Sequence, residues 1–276
     1  MVKFILGKLK IIFFLLLGTI LIGKEVLALN DNYCEKQSLH ILGKKNNDVD
    51  NVTSNIYNKG GGANFFGKAC TDPWPGMPNN VRKYISYLSL AEQKKNATYI
   101  EKLLTQKGIG ISGKLSKQAV AALIGNIIEE CRMNPGLWER WNVTTGWYSG
   151  YGLCQWTPSS TFFKSMKLNA KKANKLVNQN PAKMAKKQLK YMWKTMTSTN
   201  PDVKEWYEKM GTEKYHSPLK LTAKQFITST QPPAKLAKVF CSCYLRPENV
   251  KQRNKERAKR AKDWYNNKIV KENWND

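Results

Sequence analysis

The sequence predicts a mainly α-helical protein with one main domain. Apolar residues recur every three or four positions through most of the chain after about residue 96, which is typical of helices packed on a core. The preceding segment instead contains many Asn, Gly, Lys and Pro residues. A chain of 276 residues can bury one sizeable core. No sequence repeat of fixed period is present, so we exclude solenoid folds.

The first 28 residues have the pattern of a secretory signal peptide. Lys3, Lys8 and Lys10 precede an apolar run from Ile11 to Gly23, and Val26-Leu27-Ala28 supplies small residues for cleavage. We therefore expect a secreted or cell-wall-associated protein. An uncleaved membrane anchor is the alternative, although the run is shorter than the roughly 20 residues that span a bilayer.

Residues 29–95 are predicted to form a loosely structured spacer, with a possible helix near 81–90. The breakers are Lys59-Gly60-Gly61-Gly62 and Asp72-Pro73-Trp74-Pro75-Gly76, and the helix is suggested by Val81, Tyr84, Ile85 and Leu88. The glycine run lacks the Gly-Lys-Ser/Thr ending of a phosphate-binding loop, so we do not expect nucleotide binding.

Residues 96–268 carry the helical pattern of the main domain, and 269–276 form a short tail. One helix is expected from Ser116 to Glu130, and another from about Pro247 to Lys268. The other apolar stripes are Tyr99, Ile100, Leu103 and Leu104; Met166, Ala170, Ala173 and Val177; Ala185, Leu189, Met192, Trp193 and Met196; and Leu236, Val239, Phe240 and Cys243. In the last helix, Val250, Ala258, Ala261, Trp264 and Tyr265 should face inward, with most of the basic residues, Arg257 and Arg260 included, on a solvated face.

The chain is strongly basic, with 46 Lys and Arg against 20 Asp and Glu and a net charge of +26. Such a charge favours polyanionic partners. Export argues against nucleic acid, which leaves peptidoglycan and anionic wall polymers, or lipid. A membrane-disrupting role for the last helix is less favoured because this helix has no long apolar face.

Six cysteines are an even set in a chain expected to be exported, where disulfides persist. We predict Cys131–Cys154 and Cys34–Cys70 links, with free thiols as the alternative. We expect no metal and no cofactor, because Cys241-Ser242-Cys243 lacks a second ligand pair and the two histidines, His40 and His216, lie in loop-like surroundings.

Glu130 is the candidate catalytic acid. On the Ser116–Glu130 helix it shares a face with Val120, Leu123 and Ile127, whereas Glu129 falls behind Gly125 and Asn126, on a flank where solvent or a small polar contact is expected. Apolar surroundings raise a carboxyl pKa, so the group can still donate a proton near neutral pH. A helix-end carboxylate that bonds a backbone amide is the structural alternative.

A second carboxylate is harder to assign. No Asp or Glu occurs between Arg140 and Pro201, although that span contains ten lysines. The candidates are Glu129, Glu139, Asp202 and Glu205. The pairing of Glu130 with the later segment Gly150–Thr157 suggests a site that cleaves sugars. Enzymes that hydrolyse glycosidic bonds usually need two carboxylates. One carboxylate suffices if a hydroxyl of the substrate itself attacks, as in lytic transglycosylation, so both reactions stay open.

The order of short motifs resembles the phage-tail-type lysozymes. The motifs are Gly125-Asn126, Glu130, Asn134-Pro135-Gly136, Gly150-Tyr151-Gly152-Leu153-Cys154-Gln155-Trp156-Thr157 and Lys187-Gln188-Leu189, with further similarity around Ile100–Leu104, Ala237–Phe240, Tyr244–Pro247 and Arg257–Tyr265. The resemblance covers roughly residues 96–268. Goose-type lysozymes and lytic transglycosylases share a glutamate-led helix followed by a Gly-Leu-x-Gln segment.

The resemblance implies a lysozyme-like helical domain with Glu130 as the catalytic acid and with Tyr151, Gln155 and Trp156 lining the glycan groove. Tyr148 belongs to the aromatic cluster around these motifs and is a further candidate for substrate contact. The chain departs from the family at Cys131, at Cys154 and at Leu245. Leu245 stands where the family usually has Glu before Arg246-Pro247, which removes a possible ion-pair partner of Arg246.

The leading hypothesis is therefore an exported enzyme that cleaves the MurNAc-GlcNAc bond of peptidoglycan, as a muramidase or lytic transglycosylase, for local cell-wall opening. Conjugation, a secretion machine or wall remodelling could use that activity. The alternative is a catalytically degenerate, cationic wall-binding scaffold of an envelope or conjugation complex, which the Leu245 departure motivates.

Overall fold

The structure, a computed structural model, describes residues 65–71, 86–106, 113–139, 149–208 and 217–270, which all belong to one compact unit of the chain. The expected signal peptide, most of the spacer, Tyr148 and both histidines lie outside the described residues.

Helices dominate the described residues, as the sequence predicts. Two short parallel strands, β1 (Cys70–Thr71) and β2 (Leu137–Trp138), pair in the register Cys70 to Leu137 and Thr71 to Trp138. The α-helices are α1 (Leu90–Thr105), α2 (Lys117–Cys131), α3 (Ser159–Ser165), α4 (Ala170–Gln179), α5 (Pro181–Thr197), α6 (Ala223–Thr228), α7 (Pro233–Phe240) and α8 (Val250–Asn267). A π-helix, Cys241–Leu245, directly continues α7. None of the helices in the described ranges is long and apolar enough to cross a bilayer.

Local capping signals set the ends of the first two helices. The Ser89 side chain accepts from the backbone of Glu92, whose carboxylate accepts from Ser89 in return, so α1 begins with a capping box. Ser116 caps α2 by accepting from the Ala119 backbone N–H, and Arg132, in the left-handed region at φ 49°, ends it. The helix predicted over 116–130 is confirmed to within a residue.

Helix α2 lies at the centre of the main core. Every residue from Ala119 to Ile128 is buried, which exceeds the single apolar stripe expected from the sequence. Gly125 lets α8 approach closely, because a Cβ atom at this position would lie 2.6 Å from the Ala261 backbone nitrogen. The flank that carries Gly125 is therefore covered by α8.

A second, largely aromatic core lies beside β2. Trp138, Tyr151, Phe162 and Phe163 form its centre, with Tyr151 and Phe163 ring centroids 5.1 Å apart. The turn from Tyr151 to Trp156 connects to β2 through a bridge between Trp138 and Tyr151. This arrangement brings Gln155 and Trp156 to the edge of the aromatic core.

Helix α8 confirms part of the sequence prediction and corrects the rest. Val250, Ala258, Ala261 and Trp264 are buried as expected. Tyr265 is exposed, whereas Arg257 and Arg260, which were assigned to the solvated face, are buried. Arginine can occupy a buried helix face when its guanidinium finds a carboxylate, and both arginines do so here.

The predicted Cys131–Cys154 disulfide is wrong, because both residues are buried thiols. Burial raises the pKa of both thiols well above the ordinary value, so they are neutral and poorly reactive. Cys34 lies outside the described residues, so the Cys34–Cys70 link stays a prediction.

Candidate functional site

A polar cavity of about 680 Å³ opens between the end of α2, the Tyr151–Trp156 turn and the segment that follows the π-helix. Five acidic residues line it: Glu129, Glu130, Glu139, Glu205 and Glu248. Its basic lining residues are Arg246, Arg253 and Arg257, and Trp156, Tyr191 and Tyr244 add aromatic surface. The cavity thus combines proton-transfer groups with rings on which a sugar can pack.

Glu130 lies at the cavity wall, where the last turn of α2 positions it. Its Oε1 accepts a hydrogen bond from Arg257 at 2.6 Å, and its side chain is 14% exposed. The apolar surroundings expected from the helical stripe are therefore wrong, since a guanidinium contacts the carboxylate directly. The exposed part of the carboxylate can still reach a ligand in the cavity.

The position of Arg257 is fixed by α2 itself. Its guanidinium donates to Asn126 Oδ1 at 3.1 Å, and the amide of Asn126 donates to Ala122 and Ala237 carbonyls. Burial acts to lower the pKa of Arg257, but Glu130 and Cys241 outweigh it and raise the pKa, so the side chain stays charged. Asn126 and Arg257 together orient Glu130.

Glu129 meets neither the solvent nor the small polar contact expected from the sequence, because a buried arginine covers it. Its side chain is 4% exposed and pairs with Arg260, which is 7% exposed. The reason is the Gly125–α8 contact, which places both Glu129 and Asn126 against α8. Two consecutive carboxylates on α2 are thus matched by two arginines one helical turn apart on α8.

Gln155 is held rigidly at the cavity by its own amide group. Its Nε2 donates to the Gly152 carbonyl at 2.9 Å and to the Leu137 carbonyl at 3.1 Å. Its Oε1 is buried without a hydrogen-bond partner among the described residues, and its backbone has a left-handed φ of 46°. Gln155 is therefore fixed in the turn that forms this wall of the cavity, with its side-chain oxygen buried.

Trp156 lines the cavity, and contacts on the side away from the cavity hold its ring in place. Its Nε1 donates to the Tyr244 hydroxyl at 3.1 Å, which lies 2.8 Å from Thr195 Oγ1. The ring stacks on Phe162 with centroids 5.2 Å apart. The exposed side of the indole is therefore presented in a fixed orientation.

Tyr151 does not contact the cavity. It is fully buried in the aromatic core, where burial also raises the pKa of its hydroxyl. The expectation that Tyr151 lines the groove is therefore wrong for the described structure, because this ring supports the turn that carries Gln155 and Trp156. Tyr148, the remaining candidate, lies outside the described residues.

The second-carboxylate candidates differ in their surroundings. Glu205 is paired with Arg246 at 2.7 Å, and Asp202 is absent from the cavity lining. Glu139 lines the cavity, accepts from the Gly150 backbone N–H at 3.1 Å and has no ion pair within the described ranges. Glu205 also gives Arg246 an ion-pair partner, in place of the one that the Leu245 departure removes.

Sequence reasoning missed Arg257, Tyr244 and Glu248 as cavity residues. The signal for Arg257 was its spacing from Ala261 and Trp264, at i+4 and i+7 on one helical face. Tyr244 lies in the Tyr244–Pro247 motif, but that motif does not show that its ring lines a cavity. Glu248 gave no local signal, because the turn after the π-helix places it. The described residues contain no group of three or more His, Cys, Asp or Glu that could hold a metal ion.

Comparison with known proteins gives a matching family and a similar phage protein. The family model described as phage tail lysozyme matches residues 95–267. Morphogenesis protein 1 of Bacillus phage B103 is 29% identical over 181 residues, which cover 65% of this chain and 41% of that protein. The similar region is therefore less than half of that relative. Residues 95–267, which match the family model, contain every residue that lines the cavity.

Proposed function

The chain belongs to the phage tail lysozyme family, which implies a lysozyme-type function on peptidoglycan, and we propose that it cleaves the MurNAc-GlcNAc bond of glycan strands with Glu130 as the general acid. One observation carries the proposal: Glu130, in the last turn of α2, lies on the wall of the cavity that Gln155 and Trp156 also line.

Glycosidic cleavage requires a proton on the leaving sugar oxygen as the bond breaks. Glu130 supports this role by its partial exposure and by its fixed orientation against Arg257. A positioned general acid contributes about 10²–10⁴-fold to the rate. Trp156 would pack on a sugar ring, and Gln155 would hold the turn that carries Trp156 in place through its bonds to the Leu137 and Gly152 carbonyls.

We propose Glu139 as the second carboxylate. A second carboxylate that can activate water favours hydrolysis over transglycosylation. Glu129 and Glu205 are each paired with an arginine, whereas the Glu139 carboxylate accepts one backbone N–H and can hold a water as well. That water would attack the sugar carbon and give a proton to Glu139, while Glu130 gives its proton to the leaving oxygen as the glycosidic bond breaks. In lytic transglycosylation the substrate's hydroxyl attacks instead, and Glu139 would be dispensable.

The biological setting that we propose is local opening of the cell wall by an exported protein. The expected signal peptide supports export, and the strong positive charge supports retention on an anionic wall. Machinery that crosses the envelope, such as a conjugation or secretion complex, would need such an opening.

The test is mass spectrometry of the soluble products released from peptidoglycan by the protein and by a Glu130→Gln variant. Reducing-ended fragments from the wild type alone are the expected result, with a rate loss in the variant of at least about 10²-fold. Anhydro-ended fragments would establish transglycosylation. Firm sedimentation with walls but no fragments from either protein would contradict cleavage and favour a wall-binding scaffold.

Replacing Glu139 with Gln separates the two reactions. If Glu139 holds the attacking water, the variant should lose hydrolysis about 10²-fold or more while it still binds glycan. Glu248→Gln is the matched control, since Glu248 lines the same cavity and is exposed. Equal rates of hydrolysis by the Glu139→Gln and Glu248→Gln variants would show that Glu139 has no part in the mechanism.

A further inference from the structure

The segment from α3 through α5 carries a strongly basic surface that the cleavage chemistry does not use. Residues 159–197 contain ten lysines and no Asp, Glu or Arg. Nine of these lysines are exposed, and none forms an ion pair within the described part of the chain. Each therefore keeps its charge available to a partner.

Five of these lysines form a stripe along α5, which we call the lysine stripe: Lys183, Lys186, Lys187, Lys190 and Lys194. At 3.6 residues per turn they fall within about 100° of the helix circumference and extend over about 16 Å. The opposite face, with Ala185, Leu189 and Met192, is buried in the core. The stripe is thus a linear array of positive charge on a rigid support.

The lysine stripe adjoins the cavity. Tyr191 lines the cavity from the same helix, and Lys187 and Lys194 lie four residues before and three residues after it. Residues at these spacings are neighbours on a helix surface. A polymer that follows the stripe would therefore run beside the cavity that would receive the glycan strand.

We propose that the lysine stripe binds a phosphate-bearing anionic polymer attached to the cell wall, and so tethers the protein beside its glycan substrate. This assignment rests on the proposed function, because a wall polymer is the expected partner only if the protein acts at the cell wall. Lysine is a flexible point charge that pairs with phosphate without fixed geometry, which suits a mobile polymer. The stripe contains no arginine, whose planar guanidinium forms bidentate contacts to base edges, so it is poorly suited to sequence-specific recognition of duplex DNA.

The test compares two variants that remove equal charge from different helices. The first replaces Lys183, Lys186, Lys190 and Lys194 with Gln, and the control replaces Lys251, Lys255, Lys259 and Lys262 of α8, which are also exposed. Both sets occupy exposed helix positions where Gln has nearly the helix propensity of Lys. Co-sedimentation with purified walls is measured over a range of salt concentrations.

We expect the stripe variant to lose at least about tenfold in wall affinity near 0.1 M salt and to show a weaker salt dependence, because fewer counterions are released. The α8 variant should change much less. Walls stripped of phosphate polymers should bind wild type and stripe variant alike. Equal losses in the two variants, or unchanged wild-type binding to stripped walls, would overturn the proposal.

Two further arms keep this proposal separate from the cleavage proposal. The stripe variant should cleave soluble glycan fragments at the wild-type rate, since the stripe does not line the cavity. Stripe-dependent binding by a protein that releases no fragments would defeat the cleavage proposal alone. The second arm measures duplex DNA binding of the wild type and the stripe variant. If the stripe variant lost DNA binding but kept wall binding, the stripe would be a nucleic-acid site and the wall assignment would be overturned.

Discussion

At the scale of single residues, the site depends on charged groups that are matched in pairs. Glu130 contacts Arg257 and Glu129 contacts Arg260, and all four side chains are at least largely buried. A buried carboxylate without its partner is costly, because desolvation is no longer offset. The arginines therefore set the geometry of the proposed acid and also contribute to folding.

A double-mutant cycle on the Glu129–Arg260 pair measures this dependence. Arg260→Met alone should lower the free energy of unfolding by about 3 kcal/mol, since it leaves a buried carboxylate behind. Glu129→Gln added to Arg260→Met should cost at least about 1 kcal/mol less than the sum of the single changes. Urea unfolding gives each value.

The exposed pair Lys204–Glu208 is the control for that cycle. Its side chains are 36% and 38% exposed and 3.7 Å apart, so its coupling should stay below about 0.5 kcal/mol. Equal coupling in the two pairs would mean that burial of Glu129 and Arg260 adds nothing.

At the scale of elements, the contact between α2 and α8 positions the site. Gly125 is the point of closest approach, and its missing Cβ leaves room for the Ala261 and Arg257 backbone atoms. Arg257 and Arg260 reach the α2 carboxylates only because the two helices lie this close. The close approach of the two backbones at Gly125 thus allows Arg257 to orient Glu130.

Gly125→Ala should therefore damage both stability and cleavage. A Cβ at 2.6 Å from the Ala261 nitrogen must push the helices apart, and we expect a loss of about 1–3 kcal/mol in the free energy of unfolding, even though Ala favours helix. Gly113→Ala is the control, since its Cβ would meet only the Trp193 ring at 3.5 Å. Comparable urea curves for the two variants would contradict this role of Gly125.

Helical periodicity was sufficient to predict α2 and the inward residues Ala258, Ala261 and Trp264 of α8. It assigned Arg257 and Arg260 to solvent, because charge is usually exposed and the pattern of one helix does not show what a distant helix offers. The same limit explains Glu129, whose partner lies 131 residues away. Tyr151 was assigned to the groove by the family resemblance alone, and a shared motif does not show whether an aromatic ring faces the groove or the core.

At the scale of the whole molecule, the core contains thiols in place of the predicted Cys131–Cys154 crosslink. Burial raises the pKa of Cys241 and of Cys243 to about 11 from an ordinary 9.0. The folded protein thus favours the neutral thiols more than the unfolded chain does. This stabilisation is complete below about pH 9 and is lost as the pH rises through about 11.

Cys241→Ala should make the alkaline loss of stability shallower. Each raised pKa contributes on the order of 2 kcal/mol at pH 8 that disappears near pH 11. Urea unfolding at pH 8, 10 and 11 under reducing conditions measures the difference between variant and wild type, whatever the variant's stability at pH 8. Parallel pH profiles for the two proteins would contradict a role of the Cys241 thiol.

The separation of Glu130 from Arg257 has a consequence for biosynthesis. The two residues are 127 positions apart, and α8 is the last helix of the described chain. A ribosome that has completed α2, β2 and the Gln155–Trp156 turn has not yet produced the helix that orients Glu130. The geometry of the proposed site therefore forms only after nearly the whole domain has been translated, so partly made chains lack the Glu130–Arg257 contact.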